Sequence, residues 1–132
     1  MPVAKEMLRT SPAATGYPAD DLAAAIDAAF DCVQACTACA DACLGEDMVA
    51  ELRTCITTDL GCADVCDATA RILSRQTGYN ATLTRSLLEA CRNACRACAE
   101  ECEQHQDLHE HCRICAEACR RCEQACGRLL AA

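Results

Sequence analysis

The segment CRNACRACAEEC, residues 91–102, places four thiols in twelve residues. On a helix, Cβ atoms at i and i+4 stand about 5–6 Å apart, whereas a disulfide wants them about 3.8 Å apart. Cysteines at this spacing resist crosslinking within the helix. Rotamers that lean the two sulfurs together can instead hold one metal ion between them. The pattern C-x-x-x-C-x-x-C-x-x-x-C occurs intact three times, at Cys32, Cys36, Cys39, Cys43, at Cys91, Cys95, Cys98, Cys102 and at Cys115, Cys119, Cys122, Cys126, with Cys112 preceding the last set. A fourth copy is imperfect: Cys55, Asp59, Cys62, Cys66.

A soft ion that accepts two or three thiolates suits such pairs, and Cu(I) is the leading case. Zn(II) prefers four ligands in a tetrahedron, which facing helices could supply, so spacing alone leaves zinc open. Charge separates the two. Burying 16 bare thiolates would cost far more than the stability of any such domain. The metal-free protein must keep most of them as neutral S–H and exchange protons for metal on loading. A monovalent ion replacing one proton leaves the core's charge unchanged, whereas a divalent ion on four thiolates leaves two buried negative charges per site. Many Cu(I) ions per chain are the better fit.

The elements that position these thiols follow from the same spacing. Steps alternating between four and three residues mark the face a helix turns to a core, so the cysteines take the places that Leu and Ile fill elsewhere. Extending each register meets ordinary core residues: Leu22, Ala25 and Ala29 before Cys32, Leu52 before Cys55, Leu73 after Cys66, Leu88 before Cys91 and Leu129 after Cys126. Pro18 with Asp20 and Asp21 suits a helix start, and Gly45 its end. Asp47 is placed to cap a second helix reaching Thr77-Gly78, and Asn80 a third reaching about His105. Asp107 with Glu110 reads as a capping box for a fourth reaching about Leu130. No strand pattern occurs, and short connections make neighbouring helices antiparallel. The expected fold is all-α: an antiparallel up-down-up-down four-helix bundle with a Cys-lined core over residues 18–132, preceded by a leader, 1–17, flexible or loosely docked.

In that arrangement one end gathers Met48, His105, His109 and His111, while the other is a hydrocarbon plug of Leu22, Ile26, Ile72, Leu73, Leu87, Leu88, Leu129 and Leu130. Metal is expected to enter at the Met/His end and pass inward through Cys43, Cys55, Cys102 and Cys112, with His105 and His109 ranked ahead of His111 and Met48. The plainer reading is that loop histidines are merely solvated and Met48 is core. Asp59, standing where the repeat calls for Cys, is either a ligand or proton acceptor inside the core or, the preferred reading, a rim residue with Thr58 turned inward. Arg92, Arg96, Glu100 and Glu117 should face water and pair with one another. Leu83, Leu87, Ala90, Ala94 and Ala97 form a second apolar stripe on the third helix, which widens the buried face or meets another bundle.

The 132 residues suffice for one domain. With no Trp, one Phe and two Tyr, packing falls to Ala, Leu and Cys itself, a small hydrophobe when free. A net charge of −8 argues against nucleic acid as partner. No uninterrupted run of 18 apolar residues suggests a membrane span. The first residues lack an export signal's apolar stretch, which points to the cytoplasm, where thiols stay reduced. Other uses of the sulfur fit less well. A thiol oxidoreductase reading of the C-x-x-C pairs lacks the βαβ context and one activated, exposed pair. Iron–sulfur proteins carry their cysteines on loops, and the ferredoxin Cys-Pro signature is absent. Ferritin-like di-iron chemistry needs inward Glu and Glu-x-x-His. Zn(II) or Cd(II) sequestration, metallothionein-like, is the serious alternative.

The repeated C-x-x-x-C-x-x-C-x-x-x-C on predicted bundle helices, with no export signal, resembles the cytosolic copper storage protein family from about residue 20 to 132. The resemblance implies a non-enzymatic protein holding many Cu(I) ions along its core, with all 16 Cys as candidate ligands, the histidines at an open end, a role in copper homeostasis and detoxification, and a homotetramer. Asp59 departs from a full thiol repeat and puts a site or two of capacity in question.

Overall fold

The computed structural model describes residues 2–132. Among these residues the chain is entirely helical, with five α-helices and no strand: α1 Pro2–Thr10, α2 Ala19–Leu44, α3 Arg53–Ser74, α4 Ala81–Glu103 and α5 Glu110–Ala131. A four-residue 3-10 turn, Val49–Leu52, precedes α3. The sequence pattern anticipates α2 to α5. The additional helix, α1, lies in the leader and packs on α2, with Leu8 at its buried edge.

The four long helices form a ring in which α2 packs on α3 and α5, and α4 packs on the same two. Each helix turns its thiol seam to the centre, and Ala beside the seam lets the helices approach. Ala25, Ala29, Ala70 and Ala99 are all fully buried. By length and composition α2 is apolar enough to cross a membrane. Here its apolar face, from Leu22 through Cys43, is buried against α3 and α5.

The helix ends agree with the sequence signals in two places and depart in two. Asn80 caps α4, its side chain accepting the Leu83 backbone N–H at 3.0 Å, and α2 closes at Gly45, whose N–H donates to the Ala42 carbonyl while the Glu46 N–H donates to that of Cys43. Asp47 caps nothing. Leu52, 1% exposed, anchors a 3-10 turn in the core, and α3 begins only after it. The Asp107–Glu110 capping box does not form either. The His105 carbonyl accepts the backbone N–H groups of Leu108 and His109, so the turn carries on to His109, which becomes the residue before α5.

The end opposite the histidines is closed. Leu22, Leu73, Leu88 and Leu129 are at most 1% exposed, while Ile72, Leu87 and Leu130 are half-buried around them. The segment linking α1 to α2 is fastened to the α3–α4 turn. The Gly16 N–H donates to Gln76 Oε1 at 2.9 Å, and Tyr17 meets Tyr79 edge-on with centroids 5.7 Å apart. Gly16 is required by this contact, since a Cβ there would stand 2.6 Å from the Tyr79 ring. Gly78 turns the chain with a left-handed φ of 71°.

The charged flanks of the seam face outward, but not in the expected pairs. Arg96 bonds Glu123 at 2.8 Å, and Arg113 bonds Glu117 at 2.9 Å. Arg120 bridges Glu103 and Glu123 across α4 and α5. Glu100 is exposed, and Arg92 is half-buried with Nε unpartnered. In the second apolar stripe of α4, Leu83 is half-exposed and Ala90 and Ala97 are exposed, so the stripe is not absorbed into the core.

Candidate metal centre

All sixteen cysteines are free and buried. Their sulfurs touch across helices in a strict order. Cys66 meets Cys91, Cys62 meets Cys95 and Cys55 meets Cys102, so positions rising along α3 fall along α4. Cys32 meets Cys119, Cys36 meets Cys115 and Cys39 meets Cys112 across α2 and α5 in the same manner. These contacts are 3.6–3.9 Å long, far beyond the roughly 2.05 Å of a disulfide. Taking the zinc–thiolate length of about 2.3 Å, an ion between sulfurs 3.8 Å apart would subtend about 110°. Such spacing suits three or four ligands, and a strictly linear pair would need the sulfurs to separate.

The donor atoms form overlapping quartets, each drawn within 4.8 Å. From the leucine end toward the histidines these are Cys32/Cys66/Cys95/Cys122, then Cys32/Cys36/Cys62/Cys119, then Cys36/Cys98/Cys115/Cys119, then Cys39/Asp59/Cys102/Cys115, then Cys39/Cys43/His111/Cys112. Each quartet shares at least one residue with the next. The core is therefore a continuous column of ligand positions, in which a bound ion can acquire a new thiolate before releasing an old one. Cys126 continues the α5 seam at its leucine end and is fully buried.

Burial opposes ionisation of these thiols, while their mutual contacts raise some and lower Cys32, Cys55, Cys62, Cys91 and Cys115. Desolvation, with Cys55 beside it, pushes the Cys43 thiol up to about 12. Contacts with Cys115 for Cys36, and with Cys122 for Cys66 and Cys95, followed by burial, push those thiols upward. Neutral S–H groups are the expected state of a metal-free apolar core.

Asp59 lies inside the column, fully buried, and not at the rim. Its place in the alternating step between Cys55 and Cys62 turns it inward, and the surrounding thiols give it hydrogen-bond donors. Cys98, Cys115 and Cys102 approach Oδ1 at 3.0, 3.3 and 3.5 Å, and Cys55 approaches Oδ2 at 3.8 Å. Burial above all pushes its carboxyl up to about 8, against the favourable hydrogen bond from Cys98. Near neutrality Asp59 holds a proton, like the thiols around it.

At the open end the histidines divide. His111 reaches the thiols, with Nδ1 at 3.4 Å from Cys39 Sγ and 3.6 Å from Cys112 Sγ. His109 is 7% exposed, stacks on His111 with centroids 5.4 Å apart, and joins it on Glu46. His105 is turned away into an ion pair with Glu101 at 2.8 Å. Met48 is 37% exposed. Of the three histidines, His111 is the one recorded in contact with the thiols. Glu46 was not singled out at all. Its only sequence signal is its place just after the Gly45 stop, too common a feature to identify it. Its carboxyl is held below the ordinary range, chiefly by the hydrogen bond from His111.

Residues 19–131 match the family model described as "Csp: Copper storage protein". The chain belongs to the copper storage protein family. Solved structures agree across its length. The copper storage protein Ccsp from Streptomyces lividans, loaded with 10 copper equivalents, is 56% identical, covers 97% of this chain and 98% of its own, and superposes with a TM-score of 0.94. A cytosolic copper storage protein from the same organism, with five coppers, is 52% identical over 100% of this chain and 98% of that one, with a TM-score of 0.83. The Cu(I)-bound copper storage protein BsCsp3 is 34% identical, covers 81% and 95%, and gives a TM-score of 0.72. Family membership accounts for a core whose apolar positions are held by sulfur.

Proposed function

We propose that this chain is a cytosolic, non-catalytic store for multiple Cu(I) ions, bound by the sixteen cysteines inside an antiparallel up-down-up-down four-helix bundle. The observation that carries the reading is the column of overlapping quartets, which offers many equivalent sites and a path between them. The inverse order of sulfur contacts supports the antiparallel arrangement, and the span of the family match supports residues 18–132 as the storing domain behind a leader of 1–17. The relatives are named as copper-loaded and, in one case, as cytosolic.

Loading begins at the outermost quartet, where His111 offers an imidazole nitrogen beside the thiols. Each Cu(I) then displaces about one thiol proton, so the column fills without building buried charge. Asp59 adds an exchangeable proton and an oxygen donor among four thiols. The uncovered stripe of Leu83, Ala90 and Ala97 supports assembly of bundles into a homotetramer.

Anaerobic titration of the reduced protein with Cu(I), against a competing chelator, tests the storage reading. Expected is uptake of many ions per chain, with release of about one proton per ion. Saturation at one or two ions would reject storage in favour of a discrete centre. Because four sulfurs within reach of one another also suit a tetrahedral ion, a parallel Zn(II) titration is the discriminating arm, and comparable zinc capacity would favour zinc or cadmium sequestration.

A further inference from the structure

Glu46 stands in the connection after α2, outside every helix. A single oxygen of its carboxylate, Oε2, lies 2.8 Å from His111 Nε2 and 3.1 Å from His109 Nδ1. A carboxylate only accepts hydrogen bonds, so both facing nitrogens must carry the proton. A neutral imidazole protonated on one nitrogen bares a lone pair on the other. In its neutral form His111 is therefore held as the Nε2–H tautomer, and its bare Nδ1 is the atom facing Cys39 and Cys112 at 3.4 and 3.6 Å. His109 is held as the opposite, Nδ1–H tautomer. Its bare Nε2 is buried and has no hydrogen-bond partner, an arrangement that costs stability unless something occupies that nitrogen. The two rings are stacked, with 23° between their planes.

We propose that Glu46 is the positioning residue of the mouth, one carboxylate oxygen setting two stacked imidazoles as opposite tautomers so that each bares one nitrogen to a soft monovalent cation. His111 presents its nitrogen to the outermost thiol quartet, and His109 presents a second, unpaired nitrogen one ring away. The arrangement is an imidazole pair in series with the thiol column, built by a residue that touches no sulfur of the quartet itself. Outer partners of this kind fix ring orientation and raise ligand basicity in metal sites. The inference rests on Cu(I) storage for its cation, but its structural half concerns the metal-free protein alone.

The test uses the reduced full chain and the variants Glu46→Ala and Glu46→Gln, with helical circular dichroism verifying that each is folded. Imidazole proton–nitrogen correlation spectra of the metal-free protein at mildly alkaline pH should show His109 as Nδ1–H and His111 as Nε2–H. Glu46→Ala should lose the Nδ1–H form of His109, whereas Glu46→Gln, which keeps an accepting oxygen, should retain it. With Cu(I) supplied at one ion per chain from a chelator, Glu46→Ala should take up metal about tenfold more slowly, and Glu46→Gln should recover most of that loss. Unchanged tautomers in Glu46→Ala would overturn the proposal, as would changed tautomers with unchanged uptake. Failure of the unaltered protein to take up Cu(I) would instead reject the storage reading, leaving the spectra to decide the tautomers.

Discussion

The two ends of this molecule are made by the same four helices in the same register, yet they are built to opposite purposes. At the closed end four leucines, one from each long helix, are sealed from solvent, and the α1–α2 link is pinned over the neighbouring turn by Gly16, Tyr17, Gln76 and Tyr79. At the mouth Leu52 alone is sealed, Leu44 and Leu108 stand in water at 61% and 72% exposed, and polar contacts among Glu46, His109 and His111 do much of the joining. Hydrocarbon burial therefore anchors the fold at one end, and the proposed exchange of ligands belongs to the other. The thiols between are compact enough to pack as a core while remaining available to metal. A helical seam does not need large side chains along its whole length if one end is closed firmly.

Asp59 gives the largest expected effect, and it tests whether the mouth-side half of the core is a place of stored cost. Its carboxyl titrates at about 8 in the fold but at about 3.9 when unfolded. Below the lower value both states hold the proton. As pH rises from about 4 toward 8 the unfolded chain ionises and the fold does not, so stability falls through that window. The full difference is on the order of 5 kcal/mol at most, at about 1.4 kcal/mol per pH unit. Metal-free protein should lose stability to urea between pH 5 and 8, and Asp59→Asn should largely abolish the slope. Parallel curves for the two proteins would show that Asp59 does not hold its proton, and the contrast between an inert end and a costly one would fail.

Leu88→Ala attacks the other end. Loss of a fully buried leucine costs about 2–5 kcal/mol. Thermal unfolding of the metal-free variant should fall accordingly, while its Cu(I) uptake rate stays that of the unaltered protein, provided the measurement is made below its unfolding range. A slowed uptake would mean that the leucine end also governs exchange.

The sequence disclosed what depends on repetition and hid what depends on a single contact. Alternating steps of four and three put every cysteine inside, and the same rhythm, followed strictly, would have put Asp59 inside as well. Reluctance to bury a carboxylate misled the reading, because it assumed a bare charge where thiol donors and a retained proton remove most of the cost. Helix ends were legible where a side chain caps its own helix, as Asn80 does. They were not where a distant partner decides. Leu52 seats a 3-10 turn against the core, and His109 starts α5 in contact with Glu46 from another helix's end. The histidines could be gathered at one mouth from chain direction alone, but which of them reaches sulfur depends on rotation about α5. His111 immediately precedes Cys112 and shares its approach to the core, whereas His105 lies past the end of α4, beside Glu101.

That rotation supplies the smallest and most selective prediction. His111→Ala removes a nitrogen within 3.4 Å of a thiol of the outermost quartet, and should slow uptake of the first Cu(I) by at least about tenfold, the usual cost of losing even an outer partner of a metal ligand. His105→Ala removes only a contact with Glu101, outside the outermost quartet of Cys39, Cys43, His111 and Cys112, and should leave uptake within about twofold. Stopped-flow transfer from a chelator, with both variants matched for fold, compares them directly. Equal slowing by the two substitutions would mean that the histidines act as a diffuse basic rim. Slowing by His111→Ala alone would mean that uptake turns on an oriented nitrogen of the mouth, set at the head of the column in the same way that Leu88 is set at its foot.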